Sequence, residues 1–195
     1  MKVKVCGVRD QSFAAEAVRF GVDYLGFIFE PASPRFILPG KAKMISSCIR
    51  RSCEASSARK PALVGVFVKQ SVAEILDVMS LVGLDVVQLH RRASADDVAA
   101  LRTAGREVWT LAGGAEGDGV LFDSSHGDGD TEFRRGGFKT ILAGRIGVGN
   151  IGDAIRLSPD VIDVNSSVET APGVKSPMLL AAFIAELDRL LRPRR

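Results

Sequence analysis

The chain has 195 residues, 46% hydrophobic and 25% charged, a composition that can bury a sizeable core and excludes a disordered or collagen-like protein. At roughly 150 residues per domain, the length argues for one domain spanning residues 1–195. Its 26 basic and 23 acidic residues leave a net charge of +3, too little to imply nucleic acid or an anionic membrane as partner.

Part of that excess is a basic end carrying Arg189, Arg192, Arg194 and Arg195. No apolar run approaches the roughly 18 residues of a membrane span, and the N-terminus enters a strand-like pattern at once. Neither a span nor a signal peptide is expected, and the cytoplasm is the expected compartment. Cys6, Cys48 and Cys53 contain no CxxC pair. With only His90 and His126 beside them, they offer no zinc constellation, and a reducing compartment disfavours disulfides.

Short apolar runs alternate with amphipathic stretches along the whole chain. A first strand is expected over Val3–Cys6, after which Asp10 caps a helix through Phe13, Ala14, Ala17 and Val18 that stops at Gly21. A second strand, Tyr24–Phe29, leads into a loop containing Ser33-Pro34-Arg35-Phe36. Met44, Ile45, Cys48 and Ile49 then mark a helix. The third strand, Leu63–Val68, precedes a capping box at Ser71-Val72-Ala73-Glu74, a helix through Ile75, Leu76 and Met79, and a stop at Gly83.

Strand Val86–Leu89 is followed by a helix bracketed by Ser94 and Gly105. Next come strands Val108–Leu111, Val120–Asp123 and Thr140–Ala143, joined by short connections. Gly113 to Gly119 cannot hold a full helix, and Thr131 to Gly137 has room for about two turns. Asn150 precedes a helix through Ile151, Ala154 and Ile155, and the eighth strand is Val161–Val164. Ser176-Pro177 supplies a cap and a first-turn proline for the apolar run Leu179 to Leu191.

These strands are rich in Val, Ile, Leu and Phe with little polar alternation, as in a parallel sheet covered on both faces. Eight of them, most followed by a helix, fit either a (β/α)8 barrel or a doubly wound open sheet, and eight suits closure best. Because such barrels usually take about 250 residues, room must be saved somewhere. The predicted fold is therefore α/β, a single (β/α)8 TIM barrel with a shortened or missing helix between strands 5 and 6.

In either architecture the functional loops follow the C-terminal ends of the strands. Those ends are Cys6, Phe29-Glu30, Lys69, His90, Asp123, Gly144-Arg145 and Asn165-Ser166. Taken alone, Cys6 reads as a buried small hydrophobe. Asp123 reads as a loop cap or a catalytic carboxylate. Arg35 is either solvated or a guanidinium for an incoming carboxylate or phosphate. His90 belongs to a pocket wall rather than to a metal.

Gly144, Gly147, Gly149 and Asn150 make a glycine-rich turn ahead of a helix, a natural phosphate cradle after a seventh barrel strand. The run Gly147-Val148-Gly149-Asn150-Ile151-Gly152 has the form GxGxxG. It comes late and lacks the acidic partner of a dinucleotide site, so none is expected.

Seven fragments fall in register across the chain: Lys4-Val5-Cys6-Gly7-Val8, Asp23-Tyr24-Leu25-Gly26-Phe27-Ile28-Phe29, Ser33-Pro34-Arg35-Phe36-Ile37, Val64-Gly65-Val66-Phe67-Val68, Val87-Gln88-Leu89-His90, Leu121-Phe122-Asp123 and Asp163-Val164-Asn165-Ser166. Together they resemble the phosphoribosylanthranilate isomerase family. That resemblance implies a (β/α)8 barrel of tryptophan biosynthesis. Its reaction is an Amadori rearrangement of N-(5-phosphoribosyl)anthranilate to 1-(2-carboxyphenylamino)-1-deoxyribulose 5-phosphate, with no cofactor and no metal.

By the same resemblance, Asp123 matches the general acid that protonates the furanose ring oxygen, and Cys6 matches the base that removes the C2 proton. Arg35 matches the residue that meets the anthranilate carboxylate. His90 joins the pocket wall, and Gly144, Arg145, Asn150, Asp163, Asn165 and Ser166 fall at the phosphate end. The implied partner is a small phosphorylated substrate, with neither nucleic acid nor membrane; oligomeric state is left open.

The chain also departs from the pattern. It has Ala143-Gly144-Arg145 for the family's Ser-Gly-Gly and Asp163-Val164-Asn165-Ser166-Ser167 for Asp-Val-Ser-Ser-Gly. Arg91 replaces the glycine after His90, the fifth helix is absent, and His126 to Gly137 differs from the family's glycine-rich loop. The leading expectation is a working isomerase, since Cys6, Arg35 and Asp123 are all present. The alternative is a non-catalytic or diverged sugar-phosphate-binding paralogue. A third reading, a barrel that also accepts the related histidine-pathway aminoaldose, is opposed by Cys6, because those enzymes use a pair of aspartates.

Overall fold

A computed structural model describes residues 1–56, 59–124 and 132–192. Eight parallel strands, β1 (Lys2–Val5), β2 (Tyr24–Ile28), β3 (Ala62–Phe67), β4 (Val86–Leu89), β5 (Glu107–Leu111), β6 (Gly119–Asp123), β7 (Lys139–Ala143) and β8 (Val161–Val164), close into a barrel in chain order. The seam pairs Lys2 with Val161 and Val5 with Val164. The helices are α1 (Gln11–Arg19), α2 (Pro39–Ser56), α3 (Val72–Val82), α4 (Ala95–Thr103), α5 (Ile151–Arg156) and α6 (Pro177–Leu191). After β8 a 3-10 turn, Ser166–Val168, runs into a small hairpin of β9 (Glu169–Ala171) and β10 (Val174–Lys175), which the sequence pattern did not announce.

The space is saved where the glycines indicated. Residues 112–118 join β5 to β6 without a helix, and residues 132–137 hold none of the two turns for which the segment had room. Thr131 and His126 lie outside the described residues.

Most helix ends follow their local chemistry. The carboxylate of Asp10 accepts from the Phe13 backbone. Ser71 with Glu74, and Ser94 with Asp97, form complete capping boxes, and Gly83 closes α3 in the left-handed conformation. The Ser176 hydroxyl accepts from the Leu179 N–H ahead of Pro177. Asn150 differs: its side chain makes no cap bond to α5 and turns back onto the preceding loop.

The two-residue period of each strand sorts side chains into layers. Outward residues such as Val5, Leu25, Phe27, Leu63, Phe67, Leu89 and Ile162 pack beneath the helices. Inward residues split by height. Tyr24, Val64, Val86, Trp109, Leu121, Ile141 and Val161 fill the lower interior, while Cys6, Ile28 and Val66 pack above. Lys139 closes the bottom, paired with Glu107 and placed over the Trp109 and Tyr24 rings at 5.6 and 5.7 Å.

At this N-terminal end a four-fold repeat appears. Asp23, Asp85, Asp118 and Asp160 each stand one residue before an even-numbered strand. Each side chain accepts the backbone N–H of the second residue of the preceding odd strand: Val3 at 2.8 Å, Leu63 at 2.8 Å, Val108 at 2.8 Å and Thr140 at 2.7 Å. Each aspartate N–H in turn donates to the carbonyl of that same residue. A buried backbone N–H at the start of a strand needs an acceptor, and these four clamps supply one in each two-strand unit.

Candidate active site

The other end of the barrel opens into a cavity of about 600 Å³, walled by the last inward residue of nearly every strand and by the loops beyond. Cys6, Arg35, His90, Asp123, Gly144, Arg145, Asp163, Asn165 and Ser166, all expected from the sequence to serve a site, face it together. Asn150 is not part of this lining. Its carboxamide oxygen accepts from Gly147 N–H at 2.7 Å and its amide donates to the Arg145 carbonyl at 3.3 Å, so it shapes the turn after β7 from behind.

Cys6 is the first residue past β1, not its last, yet its N–H still donates to the Val164 carbonyl at 2.9 Å. That bond fixes the thiol on the cavity floor. Two positions earlier, on the same inward face, Lys4 is fully buried and its ammonium lies 2.6 Å from Asp163. The sequence pattern placed Asp163 at the phosphate end; its carboxylate instead sits on this floor beside Lys4.

Burial pushes the Cys6 thiol upward, while the Lys4 and Lys175 ammoniums work against that rise. Burial also opposes the charge on Lys4, but Asp163 and the thiol on its two sides hold the ammonium above its ordinary range. Asp163 is pushed up by the same burial.

On the opposite wall, Asp123 ends β6 and lies 4.0 Å from His90 Nε2, and the other imidazole nitrogen is 3.5 Å from the Gln88 amide. Gln88 follows the logic of Lys4: two residues before a site residue, on the same face, and buried. Polar residues at inward positions of apolar strands were the signal for both, available from parity alone. Among the described residues, no three His, Cys, Asp or Glu side chains converge to hold a metal ion.

The loops after β6, β7 and β8 touch one another. Gly144 adopts φ +110°, and a side chain there would strike Ser124, so the close approach of the β6 and β7 loops needs glycine. Ser167 donates its hydroxyl to the Ile146 carbonyl and ties the loop after β8 to the loop after β7. Arg145 stands exposed on the rim with φ 53°. Arg91 pairs with Asp97 of the α4 capping box at 2.7 Å.

Arg35 does not stand alone. Glu169 grips its Nε at 2.9 Å and its Nη2 at 2.7 Å, and Lys175 donates to Glu169 at 2.8 Å and to the Asn165 side chain at 2.7 Å. No sequence pattern marks Glu169 and Lys175, because they sit in the short β9–β10 hairpin and their partners are distant in sequence or lie across its turn.

Among the described residues no helix is long and apolar enough to cross a membrane. Residues 3–186 match the family described as N-(5'phosphoribosyl)anthranilate (PRA) isomerase. An N-(5'-phosphoribosyl)anthranilate isomerase of Desulfovibrio desulfuricans is 34% identical over 219 aligned positions, covering 95% of this chain and 94% of the relative. The crystal structure of phosphoribosyl anthranilate isomerase from Thermus thermophilus superimposes with a TM-score of 0.80 at 30% identity, over 97% of this chain and 100% of that one. A crystal structure of phosphoribosyl anthranilate isomerase in complex with reduced 1-(o-carboxyphenylamino)-1-deoxyribulose 5-phosphate superimposes with a TM-score of 0.78 at 28% identity, over 97% of this chain and 100% of that one. With its closed barrel and the thiol and carboxylate facing one cavity, this chain belongs to the N-(5'-phosphoribosyl)anthranilate isomerase family.

Proposed function

We propose that residues 1–195 act as one barrel domain in the cytoplasm that rearranges N-(5-phosphoribosyl)anthranilate to 1-(2-carboxyphenylamino)-1-deoxyribulose 5-phosphate, a step of tryptophan biosynthesis. The observation that carries the assignment of roles is the placement of Cys6 just past β1 and of Asp123 at the end of β6, facing the same cavity from different sides. Asp123 gives a proton to the furanose ring oxygen, the C1–O bond breaks, and the anilino nitrogen supplies the electron pair that forms a protonated Schiff base. Cys6, as thiolate, then removes the proton from C2, and the electron pair left behind neutralises the iminium to an enolamine. Reprotonation at C1 during tautomerisation delivers the ketone.

The environment suits this division. A thiolate is far closer to neutrality than an alkoxide, and a cationic Schiff base acidifies the neighbouring C–H. Lys4 beneath the thiol offsets part of the cost of a buried anion. Arg35 meets the anthranilate carboxylate, and Gly144, Arg145, Asn165 and Ser166 receive the phosphate, with Asn150 supporting their turn.

The substitutions that prompt a non-catalytic reading have partners of their own. Ser167 braces the two phosphate-side loops, and Arg91 anchors α4. Turnover of freshly generated substrate by the purified chain, with rescue of a tryptophan auxotroph lacking this step, tests the proposal. Tight binding of a reduced product analogue without turnover would overturn it in favour of the binding paralogue.

A further inference from the structure

Glu169 carries no role in the chemistry above, and it does not line the cavity. It is nevertheless the most heavily engaged carboxylate in this part of the molecule. Its side chain is 3% exposed and accepts from two nitrogens of Arg35 and from Lys175, itself 2% exposed. A carboxylate is buried this way only if its partners supply both charge and geometry. Here burial alone would raise Glu169, and the two cations hold it below the ordinary carboxylate range.

The fork matters for what Arg35 can present. A guanidinium is planar, and a bidentate carboxylate on its Nε and Nη2 edge fixes the plane. Nη1 has no hydrogen-bond partner among the described residues, and Arg35 faces the cavity. The stem is fixed as well: Gly7, at φ +74°, lies so close that a side chain there would come within 2.9 Å of Arg35 Cδ. The loop carrying Arg35 is held by the Arg9 guanidinium on the Pro34 carbonyl at 2.9 Å. Beyond the fork, Lys175 continues to the backbone and side-chain oxygens of Asn165, another cavity-lining residue, at 2.9 and 2.7 Å.

We infer that Glu169 is a positioning residue that orients the Arg35 guanidinium toward the ring carboxylate of the substrate, making selection for an ortho-carboxylated arylamine depend on the loop after β8. The inference rests on the reading of Arg35 given above. It goes further in assigning recognition of the aromatic end to a pair, Arg35 and Glu169, contributed from opposite ends of the chain. Without the fork, the long side chain would keep its charge but lose its preferred direction, and each encounter with the carboxylate would have to order it anew.

The test compares wild type, Glu169→Gln, Arg35→Ala and the double variant. Thermal melts check folding, and a reduced product analogue is used with and without its ring carboxylate. Glu169→Gln keeps the size and one acceptor of the side chain while removing its charge. We expect it to weaken the carboxylated analogue and raise KM by about tenfold, with kcat within about threefold, because the interaction is made alike in ground and transition states.

The analogue lacking the carboxylate should bind wild type and Glu169→Gln equally. In the Arg35→Ala background the second substitution should cost less than about twofold, as expected when one residue acts through the other. Equal weakening of both analogues, or undiminished weakening in the Arg35→Ala background, would show a merely structural role and overturn the inference. Unchanged affinity in Glu169→Gln, beside a weakened Arg35→Ala, would overturn it while sparing the Arg35 assignment. Full affinity of Arg35→Ala for the carboxylated analogue would remove both.

Discussion

The N-terminal and C-terminal ends of this barrel bury charge in opposite ways. At the N-terminal end each of the four clamp aspartates meets a backbone N–H of the neighbouring strand, so local groups satisfy the carboxylates. At the C-terminal end ionisable side chains meet one another instead: Lys4 with Asp163 below the thiol, His90 near Asp123, Arg35 on Glu169. Among the described residues, the buried side-chain atoms with no hydrogen-bond partner are Glu30 Oε2, Gln88 Oε1 and Asp163 Oδ1, and all three residues line the cavity. The same strands thus hold one end whose carboxylates are satisfied within the protein and another that leaves buried acceptors on residues lining a cavity.

The largest effect should come from cutting the active end alone. Cys6→Ala and Asp123→Asn are each expected to lower kcat by at least about 100-fold, as loss of a general base or acid does. Melting temperatures should stay near wild type. Steady-state kinetics with circular dichroism checks this, and near-normal turnover in either variant would take that residue out of its role.

Cutting the other end should do the reverse. Asp85→Ala removes a clamp and leaves the Leu63 N–H unpaired, at a cost of about 1–2 kcal/mol. In a chain of this size that lowers Tm by about 2–4 °C per kcal/mol, with kcat unchanged. A loss of turnover at full occupancy would mean that the two ends are coupled.

Acid should reveal the same clamps. Burial raises Asp118, but the Val108 N–H and Arg102 outweigh it and hold the carboxyl low; Asp160 is held low by the backbone N–H and hydroxyl of Thr140. Their contribution to stability is present above the unfolded aspartate value of about 3.9 and is lost as pH falls through the lower folded values. Asp118→Asn and Asp160→Asn should therefore flatten the loss of stability below about pH 4 in denaturant titrations. A slope as steep as that of wild type would assign acid unfolding to other carboxylates.

Two gentler changes sharpen the comparison at the active end. With Cys6 as the proposed thiolate base and its thiol pushed upward, kcat/KM should rise with pH along a limb above the ordinary thiol range. A limb near neutrality would show that the cations overcome burial. Arg145→Gly should weaken a phosphorylated analogue by about fivefold at low salt and less at high salt, because the lost attraction is screened. Tighter binding by the glycine variant in calorimetric titration would show that Arg145 obstructs the cradle.

The sequence by itself determined the strand and helix order, the closure at eight strands and the lost helix after β5, because apolar period, caps and glycines act locally along the chain. It also exposed Cys6, His90, Asp123 and Gly144, since a strand end is legible from a few neighbouring residues. Tertiary structure alone decided which charges meet. Lys4 faces Asp163 across the barrel seam, Arg35 finds Glu169, and Asn150 turns from helix cap to loop brace. Such partners are chosen by barrel closure and loop approach in three dimensions, where separation along the chain carries no signal. The clamp aspartates lie between these cases. Each is an unremarkable residue before a strand, and only the closed ring of parallel neighbours gives it a backbone N–H to hold.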